Sequence, residues 1–151
     1  MACNSGNGNR AYQKSCVRYF NNSPQLLAAD SANVLTLAGA KVVNSGSSIQ
    51  VEPQSYDTVK IGLYHLAADA VIAATAAGVL TLQWYMDGVA LPCTLKRITL
   101  PASGNAEIHT ETDLELSGCC CVNHTFTLVA TTDSTAAGSV IELCTGLLKL
   151  A

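Results

Sequence analysis

The fold is decided by the segment Val79-Leu80-Thr81-Leu82-Gln83-Trp84-Tyr85-Met86, which is followed by the dipeptide Asp87-Gly88. Side chains of an extended strand point alternately to its two faces, so Leu80, Leu82, Trp84 and Met86 share one face. Asp-Gly is typical of the two-residue turn of a β-hairpin. The segment therefore predicts an antiparallel strand with one face in the core. Trp84 lies on that face, which favours a core residue over a carbohydrate platform.

A second alternating segment, Ala106 to Leu116, places its charged residues on one face. That face carries Glu107, His109, Glu111, Asp113 and Glu115. A register shift of one residue would bury its carboxylates, so we expect strictly specified strand pairing. Carboxylate oxygens could bind calcium, but such a stripe is more typical of a solvated strand face that blocks edge pairing.

The remaining sequence continues the strand pattern and shows no helical period. A phase change at Gly62 predicts a β-bulge or bend, and Pro53 is expected at a strand end or edge. Further strands are predicted at 16–20, 33–37, 58–61, 95–100, 121–130 and 138–150, with a hairpin pairing 41–43 with 48–51 around the loop 44–47. We therefore predict an all-β protein, a jelly-roll type β-sandwich of eight or more antiparallel strands.

Two regions are expected along the chain. Residues 1–15 are rich in Asn, Gly and Ser, which predicts a flexible N-terminal arm. Residues 16–151 are predicted to form the β-sandwich domain. Arg10, Lys14 and Arg18 are the only charged residues before Asp30, and they could dock this arm on an acidic neighbour.

Composition excludes several classes of protein. The 151 residues are 49% hydrophobic and 13% charged, whereas an average domain is about 25% charged. We therefore expect part of the uncharged exterior to be buried between subunits. The net charge of −3 gives no basis for nucleic-acid binding. No apolar run reaches the roughly 20 residues of a membrane span, and the N-terminus has no signal-peptide pattern, so we expect synthesis in the cytoplasm.

Seven cysteines are present, three of them consecutive at Cys119, Cys120 and Cys121. Consecutive residues of an extended chain point to alternating faces, so these three do not converge on one zinc ion. Together with Cys3 they could form disulfides between subunits, whereas reduced, partly buried thiols are the alternative. The others, Cys16, Cys93 and Cys144, are expected to be packed.

No set of reactive side chains converges in the sequence. His65, His109 and His124 are scattered, and no cysteine stands near a histidine in a recognisable nucleophile motif. A Gly-x-Ser-x-Gly elbow, a phosphate-binding loop and a His-Glu-x-x-His helix are all missing from the sequence. We therefore predict a protein without catalytic, cofactor-binding or metal-binding residues, not an enzyme.

The order of these segments resembles the jelly-roll trimer modules of the tumour necrosis factor and complement globular-head type. The resemblance rests on Asp57–Ile61, Gly62-Leu63-Tyr64-His65-Leu66, Leu80–Met86 with Asp87-Gly88-Val89-Ala90-Leu91-Pro92, and the closing Gly138–Leu150. It covers roughly residues 17–151. Similar modules occur as fibre or decoration proteins on bacteriophage heads and in bacterial spore-surface filaments. The resemblance implies a homotrimer packed through the aromatic and aliphatic side chains of one sheet.

The leading functional hypothesis is a structural virion protein, a trimeric decoration or head-fibre subunit of a bacteriophage capsid. It would attach through the N-terminal arm to the major capsid protein or another virion protein. One alternative is a cysteine-crosslinked filament subunit of a bacterial cell or spore surface. Another is a module that binds a host-surface glycan or receptor.

Overall fold

The computed structural model describes residues 14–118 and 123–151. The described residues form thirteen strands and one short 3₁₀ turn, Pro92–Thr94. The strands are β1 (Cys16–Asn21), β2 (Gln25–Leu27), β3 (Ala32–Val34), β4 (Ala40–Ser45), β5 (Ile49–Glu52), β6 (Ser55–Thr58), β7 (Gly62–Ala76), β8 (Gly78–Met86), β9 (Val89–Ala90), β10 (Lys96–Leu100), β11 (Gly104–Leu116), β12 (His124–Thr132) and β13 (Ala137–Lys149).

The strands form two sheets in which all paired neighbours are antiparallel. Sheet A has the order β11-β7-β13-β1-β4, with β2 added beside β13. Sheet B has the order β10-β8-β12-β6-β5, with β3 beside β12 and β9 beside β8. The sheets enclose one apolar core, so the predicted jelly-roll type sandwich is confirmed.

The core includes Leu80, Leu82 and Trp84, three of the four residues that the sequence pattern of β8 places inward. Trp84, Tyr56, Tyr64, Phe126 and Leu66 are its large, fully buried members. The Asp87-Gly88 turn is confirmed, because Tyr85 and Met86 pair with Ala90 and Val89 across it. Asp87 and Gly88 have φ angles of 52° and 79°, which are the positive values that a type I′ hairpin turn requires.

The predicted hairpin between 41–43 and 48–51 is wrong. β4 pairs with β1 in sheet A, whereas β5 pairs with β6 in sheet B. The connection through Gly46, whose φ is +80°, therefore carries the chain from one sheet to the other. Two alternating segments with a short turn between them look the same in sequence whether they pair or separate, because alternation reports only which face is buried.

The predicted strand at 58–61 is also wrong, and the phase change for which a β-bulge or bend at Gly62 was predicted marks a passage between the sheets and not a bulge. β6 ends at Thr58 and β7 begins at Gly62, so the chain crosses from sheet B to sheet A between them. The change of phase arises because the two segments face the core from opposite sheets. Gly62 is required by its φ of +147° and by its closeness to the chain end, since an added Cβ would lie 2.3 Å from the Ala151 carbonyl oxygen.

Buried hydroxyl groups connect the two layers. The Thr94 hydroxyl accepts a hydrogen bond from the Trp84 N–H at 2.9 Å, and the Thr110 hydroxyl of β11 donates to the Thr94 carbonyl at 2.6 Å. The Tyr56 hydroxyl of β6 bonds with that of Thr145 in β13. Such bonds fix how the sheets are aligned, because a buried donor or acceptor without a partner is costly.

Among the described residues no helix has the length and apolarity to cross a membrane.

Candidate functional site

The side of sheet A that points away from the core is the most unusual surface of the molecule, and we call it the acidic face. It carries six of the eleven acidic residues of the chain and one described arginine, Arg18. The six are Asp69 of β7, Glu107, Glu111, Asp113 and Glu115 of β11, and Glu142 of β13. The stripe predicted on β11 is therefore confirmed as an exposed strand face, and β7 and β13 extend it.

Strand register arranges the acidic face in rows that run across the sheet. One row places Arg18, Gly146, Ala67 and Glu111 side by side on β1, β13, β7 and β11. The neighbouring rows contain Cys16, Leu148, His65 and Asp113, and Phe20, Cys144, Asp69 and His109. In these rows β13 contributes small or apolar side chains, whereas the carboxylates and histidines lie on β7 and β11.

Two histidines and three carboxylates form a continuous chain of contacts on this face. His65 Nδ1 lies 2.6 Å from Asp113 Oδ1, and His109 Nδ1 lies 2.6 Å from Asp69 Oδ1. The Nε2 atoms of both histidines face Glu111 Oε2, at 3.4 and 3.5 Å. Glu111 therefore lies between the two imidazole rings and connects the two histidine–aspartate pairs.

Two open depressions lie on the acidic face. One, of about 430 Å³, is lined by Arg18, His65, His109, Glu111 and Gly146 among others. The other, of about 330 Å³, is lined by Phe20, Asp69, Glu107, Glu142 and Cys144 among others. Gly146 and Ala67 leave the floor of the first depression low, because neither carries a long side chain. The face therefore offers shallow, negatively charged recesses in place of a closed pocket.

Most of the basic residues lie outside this face, and two of them are on the adjoining flank of the sandwich. Lys96 and Arg97 are exposed at the start of β10, the edge strand of sheet B, and Leu95 beside them is 45% exposed. We call Leu95, Lys96 and Arg97 the basic edge. Every ion pair among the described residues involves a histidine, so neither Lys96 nor Arg97 lies within 4 Å of a described carboxylate.

Two other aspartates serve structure. The backbone N–H groups of Val79, Thr135 and Ala136 donate to Asp133 and hold its pKa well below the usual range. Partial burial raises the pKa of Asp87, but hydrogen bonds from the Thr125 N–H and His124 outweigh it and lower that pKa. A carboxylate that accepts several hydrogen bonds is stabilised in its charged form. Both aspartates therefore fix turns next to sheet B.

The cysteines proposed for disulfides, Cys3 and Cys119–Cys121, lie outside the described residues. Cys16, Cys93 and Cys144 are free thiols. Cys16 and Cys144 are half-buried on the acidic face, whereas Cys93 is exposed in the 3₁₀ turn, so its predicted packing is wrong. The Cys93 side chain points outward because it belongs to the 3₁₀ turn, which the sequence did not predict.

Of the three residues proposed for the attachment arm, the structure describes Lys14 and Arg18. Arg18 belongs to β1 and lines the larger depression, Lys14 is exposed just before that strand, and Arg10 lies outside the described residues. Ser15 is already buried. Its hydroxyl accepts from the Ser48 N–H at 2.9 Å, and its carbonyl accepts from the Lys149 N–H at 2.8 Å.

The described residues contain no recognisable metal-binding cluster and no thiol–imidazole pair. No group of three or more His, Cys, Asp or Glu side chains there is placed to hold a metal ion. Cys144 and His109 share a row, but Asp69 stands between them and His109 turns its Nε2 towards Glu111. The thiol therefore has no imidazole base of the kind that nucleophilic catalysis needs.

Sequence reasoning missed the contribution of β7 to this site. Asp69 and His65 come from a segment of alternating small residues whose pattern predicts only a strand. These two residues are an even number of positions apart, so the sequence predicts that their side chains share one face of that strand. Their place beside β11 follows only from the β7–β11 register, which pairs two strands that lie far apart in the chain.

Comparison with solved structures decides the fold type. Murine APRIL matches with a TM-score of 0.63 and 12% identity over 91% of this chain and 100% of that one. The PRD1 vertex protein P5 matches with a TM-score of 0.62 and 16% identity over 93% and 100%. The fold is the tumour necrosis factor and complement-head jelly roll. The globular domain of zebrafish complement 1qA also has it, with a TM-score of 0.60 and 11% identity over 92% and 98%.

No protein-family model and no curated protein sequence matches this jelly-roll chain. The identities to the three solved structures are between 11% and 16%, so the likeness concerns the fold. The similar structures are a cytokine, a complement domain and a virion protein. These three neighbours are non-enzymatic proteins.

Proposed function

We propose that this protein is a structural subunit of a bacteriophage particle, a homotrimer that decorates the capsid or belongs to a head fibre. The carrying observation is its jelly-roll likeness to the PRD1 vertex protein P5, which extends over nearly the whole of both chains. The low content of charged residues, 13%, also supports burial of exterior surface between subunits. The site of action is then the virion, after synthesis in the host cytoplasm.

The TM-scores to the cytokine, the complement domain and the vertex protein all fall between 0.60 and 0.63. Fold likeness alone therefore does not separate a virion role from a receptor-binding role. In addition to the likeness to the vertex protein, the Gly-Leu-Tyr segment at 62–64 and the Asp87–Pro92 segment support a virion protein, because they resemble the phage and bacterial members. A glycan or receptor site, and filament crosslinks through Cys3 and Cys119–Cys121, remain the alternatives.

The N-terminal arm is proposed as the attachment element, with the major capsid protein or another virion protein as its partner. Because Ser15 is buried and bonds to Ser48 and Lys149, the removable part ends before Lys14. Arg10 and Lys14 supply positive charge for the contact, and Arg18, which belongs to β1, follows them in the sequence.

Removal of residues 1–13 is expected to leave the sandwich folded and to abolish incorporation into particles. The measurement is the amount of protein in purified particles, compared with its amount in the cell extract. A matched variant replaces residues 1–13 with a Gly/Ser sequence of equal length and is expected to behave like the deletion. Normal incorporation of either variant would refute the role of the arm.

A further inference from the structure

We infer that the end of the sandwich from which the N-terminal arm departs also docks on the particle, and that its partner there is an acidic protein surface. The lysine patch, as we call this end, consists of Lys14, Lys60, Ile61, Lys149 and Leu150. This inference rests on the proposed function, because it concerns attachment to the same particle. It adds to the arm a contact made by the folded domain itself.

Contacts between distant parts of the chain bring the three lysines together. The Lys149 N–H donates to the carbonyl of Ser15, the residue after Lys14, at 2.8 Å. The Lys149 side chain passes over Gly62, since an added Cβ there would lie 3.1 Å from its Nζ. Lys60 stands two residues before Gly62 and is exposed, as is Lys14. Three positive charges therefore share one end of the sandwich.

Exposed apolar side chains lie among these lysines. Ile61 is 40% exposed and Leu150 is 39% exposed. The Leu63 carbonyl accepts from the Leu150 N–H at 2.7 Å, and the Leu63 N–H donates to the Ala151 carbonyl at 3.0 Å. Leu150 thus lies beside the segment that carries Ile61. Lysine stems that border aliphatic side chains suit a protein contact with an apolar centre and a polar rim.

The charge of the lysine patch is not neutralised within the described part of the chain. Every ion pair among the described residues involves a histidine, so none of the three lysines has a described carboxylate within 4 Å. Asp87, towards the same end, bonds with His124. Glu115 is beside Leu63 in register and belongs to the outer side of sheet A. The lysines are therefore available to carboxylates of another protein, and complementary charges of this kind orient association.

The position of the arm places its partner against the lysine patch. Arg10 is four residues before Lys14, and four residues of chain span at most about 14 Å. A protein that binds Arg10 therefore lies beside this end of the sandwich. Two linked contacts bind more tightly than either alone, because the second forms at a high effective concentration.

An acidic protein surface fits the lysine patch better than an anionic membrane does. Each lysine near an anionic lipid surface contributes only about 1 kcal/mol, and the patch has three. Its two apolar side chains, Ile61 and Leu150, are more than half buried in their own subunit. They therefore offer little apolar area for insertion into a bilayer.

The test removes two positive charges that lie outside the arm, through Lys60→Gln with Lys149→Gln. Cosedimentation of the purified full chain with particles made without this protein measures the dissociation constant. We expect the variant to bind at least about five-fold more weakly than the wild type in 50 mM salt, the loss that corresponds to two surface charge pairs. Its binding is also expected to fall less steeply as salt rises, because fewer charges remain to be screened.

The control, Lys41→Glu, makes the same change of net charge at an exposed residue of β4 outside the lysine patch and is expected to bind like the wild type. Circular dichroism and light scattering verify that each variant keeps the fold and the mass of the wild type. Unchanged binding of the double variant, or an equal loss in the control, would overturn this inference alone. A wild type that fails to bind the particles would overturn the proposed function as well.

A second probe distinguishes the two kinds of acidic surface. Vesicles of phosphatidylserine and phosphatidylcholine in equal parts are expected to bind the wild type far more weakly than the particles do. Equally tight binding to these vesicles, lost in Lys60→Gln with Lys149→Gln, would overturn the assignment of an acidic protein as the partner.

Discussion

Replacement of Trp84 by alanine is expected to lower the free energy of unfolding by about 3–5 kcal/mol, the usual cost of removing a buried aromatic side chain. Trp84 is fully buried at the centre of β8, and its ring lies 6.4 Å from that of Tyr56 between centroids. Its removal leaves a cavity between the sheets that the rigid strands cannot close. Urea unfolding at a fixed protein concentration measures the change, since subunit association would otherwise contribute.

Trp84→Phe is the matched control. The Trp84 Nε1 atom is buried and has no hydrogen-bond partner among the described residues, so phenylalanine loses ring volume but no hydrogen bond. We expect this variant to cost less than half as much as Trp84→Ala. Equal costs for the two variants would contradict this description of the core, because they would imply that the indole N–H makes an important bond.

Above pH 10 the protein is expected to lose stability through its buried tyrosines. Burial raises the pKa of Tyr56 to about 12 and that of Tyr64 to about 12, whereas a tyrosine in the unfolded chain titrates near 10. The folded state thus holds these protons more tightly. This contribution is complete below pH 10 and is lost as the pH rises from 10 to 12. Two pKa units correspond to roughly 3 kcal/mol for the fully buried Tyr56.

Tyr56→Phe removes this ionisation and is expected to make the fall of stability above pH 10 shallower. At pH 7 the same variant should be less stable by about 1 kcal/mol, because it loses the hydrogen bond to Thr145. The two pH values therefore move the variant in opposite directions relative to the wild type. Unfolding free energies measured at pH 7 and pH 11.5 test this, and an equally steep alkaline loss in the variant would contradict it.

The sequence predicted best the features that depend on local alternation. In β8 and β11 the pattern of period two identified the buried face correctly, including Trp84 and the exposed acids. The Asp87-Gly88 turn was predictable because few dipeptides accept two positive φ angles. These features depend on neighbouring residues only.

Features that depend on which sheet a strand joins were not predictable in the same way. The segments around Gly46 and Gly62 alternate regularly, yet at both glycines the chain passes between sheets. The same limit applied to the site, since Asp69 and His65 meet Glu111 and His109 only through the pairing of β7 with β11. Long-range register is a property of the whole fold, so no local pattern records it.

Likewise, the role of the small residues of β7 and β13 can be seen only in the three-dimensional structure. Ala67 and Gly146 come from distant parts of the chain, but register places them side by side on the acidic face. Their short side chains form the floor of the larger depression. Alanine and glycine in a strand otherwise indicate weak packing, so no local pattern indicates a recess.

We propose that this jelly roll works as a homotrimer, and the mass in solution tests that proposal most directly. Size-exclusion chromatography with light scattering at micromolar concentration is expected to give three times the 15.7 kDa of one chain. A stable species of one chain mass at the same concentration would contradict the claim.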